Sequence, residues 1–346
     1  MPLVSKSWAR LLGGPSPAWE EMRIARDYLS GGQPDMEALE AWLSRRAGAV
    51  RNLCIIDNMG FVAWRVGQVL PASILTAALG THANRLQVLH IFTAAIDLSS
   101  AELNAVLGRT HSLVEFTLIL SRQSLCWVDR GAALMETLSQ LPALQKLVIR
   151  TGGRPDPSYN LPTVAELAML SSPRLTFMGL DIDTSSEGSL SLGALPALTT
   201  CQLLGCGPAD VVHLTASSFS GAPNLTQLDL GNISNIHLSP DCFNSLSFLS
   251  DLRLVDCGLV LMPPALAAVQ GTLRHLNLSN NNRLEIEECG YSILLGLSAL
   301  ERLDLSPLSK TITYYRHGCQ NVQYLSRFIT EWQALRPGVS VPMLTL

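Results

Sequence analysis

Leucines and their apolar substitutes recur along the chain in one frame, L-x-x-L-x-L-x-x-N, spelled most fully by Leu273, Leu276, Leu278 and Asn281. The last two apolar positions alternate with polar ones, the period-2 pattern of a short strand with one face buried. The strand positions of the copies are Leu53, Leu89, Phe116, Leu147, Met178, Cys201, Leu228, Leu252, Leu276 and Leu303. Between strands, Ala101 to Leu107 and Ala132 to Leu138 carry helical periodicity, whereas Leu259 to Val269, bearing Pro263 and Pro264, predicts an extended turn. Two Gly-, Pro- and Ser-bearing insertions break the rhythm, Thr151 to Asn160 and Lys310 to Asn321. From Asn321, a helix is predicted with Val322, Leu325, Phe328, Ile329, Trp332 and Leu335 on one face, followed by a strand at Val339 to Val341.

This frame resembles the leucine-rich repeat, whose period is about 20–29 residues. Leu228, Leu252 and Leu276 follow one another at 24 residues, and Leu53 precedes Leu89 by 36, so the early repeats carry insertions. The resemblance implies an α/β, right-handed solenoid, with a curved parallel sheet on one side and helical or irregular returns on the other. Parallel pairing of successive strands demands such crossovers. An amphipathic helix from Asp35 to Arg46, with Met36, Leu39, Trp42 and Leu43 on its apolar face, is expected to cover the first repeat. The expected boundaries are 31–49 for this capping helix, 50–309 for the repeats and 310–346 for the second insertion and the C-terminal cap.

A hydrophobic content of 47% against 15% charged residues excludes disorder. The net charge of −4 without a basic cluster argues against nucleic acid as the main partner. The longest apolar stretch, Leu259 to Val269, is too short to span a bilayer, and Met1 to Arg10 lacks the apolar core of a signal peptide. The eight cysteines include no CxxC pair. Cys206 and Cys257 take the last motif position, where Asn58 and Asn281 stand in other copies, so packing groups in a reducing cytoplasmic or nuclear setting are expected. The sequons at Asn224, Asn232 and Asn277 are then by-products of the repeat consensus.

Ahead of the repeats, Val4-Ser-Lys-Ser-Trp8 leads into Leu11 and Leu12, then Pro17-Ala-Trp19-Glu-Glu-Met22. This resembles the C-terminal half of an F-box, and residues 1–30 are read as a partial, all-α F-box-like unit. The family's first half, an L-P-x-x-L helix that makes much of the adaptor contact, does not precede Val4 here. By this resemblance the chain is a substrate-recognition subunit of a cullin–RING (SCF-type) ubiquitin ligase. Val4, Trp8, Leu11, Leu12 and Trp19 would hold the ligase adaptor, and the concave sheet would hold a protein target. The alternatives are an adaptor-free cytoskeletal or axonemal scaffold, or a fragment of a sensor whose signalling domain lies elsewhere.

The chain has no phosphate loop, G-x-S-x-G elbow or H-E-x-x-H pair, so neither an enzyme nor a cofactor is expected. His317 and Cys319 are an incidental pair, and His213, His237 and His275 are read as non-convergent. The outward strand positions carry the candidate partner site of a monomeric protein. Those after the last leucine include Ile56, Phe92, Ile119, Arg150, Asp181, Leu204, Val255 and Ser279, the first three being one expected apolar ridge. The C-terminal half adds Asp229, Arg253, His275 and Asn277, with Asp229 beside Arg253 as a lateral ion pair.

Overall fold

The structure, a computed structural model, describes residues 21–25, 40–41, 44, 50–56, 70–92, 96–97, 99–120, 132–151, 161–185, 187–206, 211–306, 317–335 and 343–345. The chain forms two compact units, Met1–Asn160 and Leu161–Leu346, dividing at the end of the insertion that starts at Thr151.

In chain order the first unit runs β1 (Glu21–Ala25), β2 (Asn52–Ile56), β3 (Leu70–Pro71), α1 (Ser73–Leu79), β4 (Val88–Phe92), β5 (Ile96–Asp97), α2 (Ser100–Leu107), β6 (Glu115–Leu120), α3 (Ala132–Ser139) and β7 (Lys146–Thr151). β1, β2, β4, β6 and β7 pair in parallel, and β3 pairs with β5. Leu53, Leu89, Phe116 and Leu147 lie on one register line, as the repeat frame requires. All four are buried, as are Ile55, Ile91, Leu118 and Ile149 two residues on. The returns supply the other half of the core through Ile74 and Leu75, Leu103 and Leu107, and Met135 and Leu138. α2 starts where the sequence dictates: Ser99 Oγ accepts from the Glu102 amide, and Glu102 accepts from the Ser99 amide, a reciprocal cap.

The ladder begins earlier than Val50. β1 pairs with β2, Met22 opposite Leu53 and Ile24 opposite Ile55, so the end of the F-box-like pattern is a repeat strand and not helix. Of the expected capping helix, Glu40, Ala41 and Ser44 are helical, and Glu40 accepts from the Ser73 hydroxyl at the start of α1; its apolar face lies outside the described residues.

The second unit runs β8 (Phe177–Asp183), β9 (Gly188–Leu190), β10 (Thr200–Cys206), β11 (Val212–Leu214), β12 (Gln227–Gly231), β13 (Ile236–Leu238), β14 (Asp251–Val255), β15 (His275–Asn277), α4 (Glu288–Gly296), β16 (Arg302–Asp304), α5 (His317–Leu335) and β17 (Met343–Thr345). β8, β10, β12, β14, β15, β16 and β17 form its main parallel ladder, with Met178, Cys201, Leu228, Leu252, Leu276, Leu303 and Leu344 in line. A smaller parallel sheet, β9, β11 and β13, runs beside it with Leu190, Leu214 and Leu238 in register. The returns are short here: Phe219 and Phe243 stack at 6.1 Å inside successive ones, and the stretch after Leu259 enters extended and then closes as a 3₁₀ turn over Pro264–Val269.

At the end of each tight repeat the chain turns through a left-handed residue, Asn232, Asp256 and Asn280, at φ 57°, 55° and 62°. Asn and Asp tolerate that conformation best among residues with a Cβ. Gly258, at φ 67°, is required twice over, since a Cβ there would sit 2.0 Å from the Ser234 carbonyl oxygen.

α5 is longer at its start than expected, opening at His317 instead of Asn321. Phe328 and Trp332 are wholly buried with ring centroids 5.3 Å apart, and α5 packs against α4. Leu335 is 64% exposed, because the helix ends there with its last turn facing solvent; it does not belong to the capping face. Val322 and Leu325 have side chains outside the described residues. On the rim of this contact, Arg327 lies 4.6 Å above the Tyr291 ring, bonds Glu331 at 2.8 Å and reaches Glu288 at 3.3 Å. Burial, then Glu331, pushes the Tyr291 hydroxyl up to about 12. The closing strand is β17, four residues beyond the predicted Val339 start, and Val339 to Val341 lie outside the described residues.

Candidate functional site

In the first unit, alternation along each strand leaves one open sheet face. Its outermost line holds Phe92, Ile119 and Arg150 in register, all half-buried. Ile56 ends β2 in the same frame, but its side chain lies outside the described residues. Phe92 and Ile119 therefore sit side by side as an apolar step, next to a guanidinium. The middle line holds Cys54, His90, Thr117 and Val148, and the first line Asn52, Val88, Glu115 and Lys146.

Glu115 organises the polar part of this face. Its Oε1 accepts from Lys146 Nζ at 2.7 Å and lies 3.0 Å from His90 Nε2. Burial would raise the Glu115 carboxyl, but the Lys146 and His90 contacts outweigh it and hold the group below its ordinary 4.5. A carboxyl lowered on folding stabilises the native state above its unfolded value and loses that contribution as pH falls through the folded one. Glu115→Gln is therefore expected to flatten the acid limb of the stability–pH curve below about 4.5, with the neutral region changed by no more than a partly exposed ion pair is worth, about 0–1 kcal/mol. Urea denaturation at stepped pH checks this. An unchanged acid limb would remove Glu115 from the account. This cluster was missed in the sequence, although Glu115 and Lys146 stand directly before the inward strand residues Phe116 and Leu147 of successive repeats, where a parallel ladder makes them neighbours.

In the second unit the open face is of a different kind. Leu204, Gly231 and Val255 are register neighbours, and Gly231 leaves room for Leu204, whose Cδ2 would lie 2.8 Å from an added Cβ. Asp229 and Arg253 are direct register partners on β12 and β14, and the Arg253 Nε donates to Asp251 on its own strand at 3.2 Å, the i, i+2 neighbour on the same face. His275 stands between two carboxylates, Nδ1 3.4 Å from Asp251 and Nε2 3.8 Å from Glu301. Asn277 serves the backbone: its Oδ1 accepts from the Ser279 amide at 2.9 Å, as Asp304 does from Ser306 at 3.0 Å. That turn carries Ser279 inward, leaving it 9% exposed, and Asp181 is buried at 5%, so neither belongs to the open face.

The last motif position is also clear. Asn281 is buried and accepts from the amides of Cys257 and Leu259 at 3.0 and 3.1 Å, while its Nδ2 donates to the carbonyls of Leu254 and Leu278 at 2.7 and 2.8 Å. In the preceding repeat the Cys257 thiol donates to the Leu230 carbonyl at 2.9 Å, and burial pushes it up to about 12. Cys201, Cys206, Cys242 and Cys257 are buried, whereas Cys289 is exposed.

Val4, Trp8, Leu11, Leu12 and Trp19 lie outside the described residues, as do both insertions except Thr151 and the helical residues from His317. Among the described residues, no group of three or more His, Cys, Asp or Glu side chains is arranged to hold a metal ion, and no helix is long and apolar enough to cross a membrane. His213 and His237 do converge, contrary to the sequence reading: they face each other across β11 and β13 with ring centroids 5.3 Å apart. The 24-residue spacing between them, the length of one tight repeat, was the overlooked signal.

Comparison with known proteins adds little beyond the repeat itself. No family model matches the chain, and no curated protein matches it. Among solved structures, the crystal structure of the mouse RP105/MD-1 complex is similar at 18% identity and a TM-score of 0.43, over 75% of this chain. The match spans 38% of that structure's chain. The α/β leucine-rich-repeat solenoid is thus established by the chain's own repeat frame and parallel registers.

Proposed function

We propose that the chain is a protein-binding module whose target docks on the open sheet face of the first unit. The supporting observation is the in-register pair Phe92 and Ile119, half-exposed beside Arg150 and bordered by the Glu115–Lys146–His90 cluster. The motif leucines have returns to pack against, whereas these side chains face away from the core, so folding alone does not call for large apolar groups there. An apolar step with a polar rim is the surface that protein partners use. The F-box-like run from Val4 to Met22 supports the finer reading, a substrate-recognition subunit of a cullin–RING ubiquitin ligase, working in the cytoplasm or nucleus and holding its adaptor through Trp8, Leu11 and Leu12.

A second reading, an adaptor-free repeat scaffold, is favoured by one observation. Met22, which closes the F-box-like pattern, belongs to β1 and pairs opposite Leu53. One experiment separates the two. Epitope-tagged chain from cells should co-purify the ligase adaptor and a discrete target. Trp8→Ala should lose the adaptor and keep the target, while Phe92→Asp should keep the adaptor and lose the target at an unchanged melting temperature. Absence of adaptor from the wild-type pull-down would leave the scaffold reading. A Phe92→Asp chain that still holds the target would remove this face.

A further inference from the structure

We infer that His213 and His237 form a binding site for one borderline divalent transition-metal ion of the Zn²⁺ or Ni²⁺ type, on the small sheet of the second unit. The two residues are direct register partners in the parallel pair of β11 and β13, between the inward-facing pairs Val212 with Ile236 and Leu214 with Leu238. Their side chains share the outward face, where His213 is half-buried and His237 exposed. Parallel strands about 4.8 Å apart leave two such rings no choice but to be neighbours.

The ring geometry matches a shared ion. An imidazole nitrogen binds zinc at about 2.0–2.1 Å, which puts each ring centroid about 3.2 Å from the metal and two tetrahedral ligands' centroids about 5.2 Å apart. The observed separation is 5.3 Å, with the planes tilted by 57° instead of stacked face to face. A second, independent observation concerns orientation. Glu187 Oε1 lies 3.4 Å from His213 Nε2. A carboxylate at one ring nitrogen of a metal-binding histidine is the usual outer partner: it keeps the hydrogen on that nitrogen and leaves the lone pair on the other, here Nδ1. Ser189 adds a bond from its Oγ to the His213 carbonyl at 3.5 Å, fixing the strand beneath the ring.

With two imidazoles and no third ligand among the described residues, water completes the coordination. Binding is therefore reversible, and it joins two successive repeats. Imidazole donors select Zn²⁺, Ni²⁺ and Cu²⁺ over the oxygen-seeking Mg²⁺. The site lies on a different sheet from the face proposed for the protein target, so each stands or falls separately.

Isothermal titration of the full chain with Zn²⁺, Ni²⁺ and Mg²⁺ tests this. Saturable binding of one ion is expected for Zn²⁺ and Ni²⁺ and none for Mg²⁺. His237→Gln is expected to weaken it at least about tenfold, and Glu187→Gln by about tenfold, the low end for losing an outer partner of a ligand. His275→Gln, altering the histidine between Asp251 and Glu301, is expected to leave binding unchanged. Thermal melts without metal confirm that the exposed-site variants fold, and Zn²⁺ should raise the melting temperature of the wild type but not of His237→Gln. No saturable Zn²⁺ or Ni²⁺ binding up to millimolar concentration, or wild-type affinity in folded His237→Gln, would overturn the assignment.

Discussion

Asn281→Ala is expected to destabilise the second unit by about 2–4 kcal/mol. The side chain is buried, and four backbone groups depend on it: the amides of Cys257 and Leu259 and the carbonyls of Leu254 and Leu278. A buried polar group stripped of its partner costs about 1–3 kcal/mol, and not all four can find water after the change. The loss falls on the contact between successive repeats, from which a repeat array draws much of its stability. Asn281→Cys should cost less than Asn281→Ala, because Cys257 already fills the corresponding slot one repeat earlier and donates to the Leu230 carbonyl. Urea denaturation of both variants checks the order. Equal midpoints for Asn281→Ala and wild type would mean that the turn holds itself without the asparagine.

Trp332→Ala is expected to cost about 3–5 kcal/mol, the range for truncating a buried aromatic side chain. Trp332 and Phe328 are both wholly buried on α5, which packs against α4. Without that ring the helix no longer covers the last return, where Tyr291, Ile293 and Leu294 are themselves buried. Aggregation on warming should accompany the lower denaturation midpoint, because an uncapped repeat exposes its apolar interior. Leu335→Ala provides the contrast: at 64% exposure it should change stability by no more than about 0.5 kcal/mol. Indistinguishable effects of the two substitutions would show that α5 does not cap the unit through Trp332.

The sequence by itself determined the strand frame. From Leu53 to Leu147 and from Met178 to Leu303 the inward positions were legible, because burying every second side chain leaves a period-2 trace that survives insertions. The helical returns α2 and α3 were legible for the same reason, and the outward direction of Phe92 and Ile119 followed from the alternation. Tertiary structure decided what long-range pairing alone can set. β1 escaped notice and the closing strand was expected four residues too early, because Met22 and Leu344 lack the full motif around them; only the edge of a neighbouring strand recruits them. The bond from Arg253 to Asp251 on its own strand depends on side-chain reach, which register does not specify. Ser279 turned inward where the Asn277 side chain accepts from its amide, a local bond that the alternation of leucines does not record. His213 and His237 met because β11 and β13 pair outside the main ladder, on a second line of leucines, Leu190, Leu214 and Leu238, that the strand frame did not include. Periodicity records which side chains must leave water, whereas contacts among those that stay at the surface depend on which strands pairing brings together.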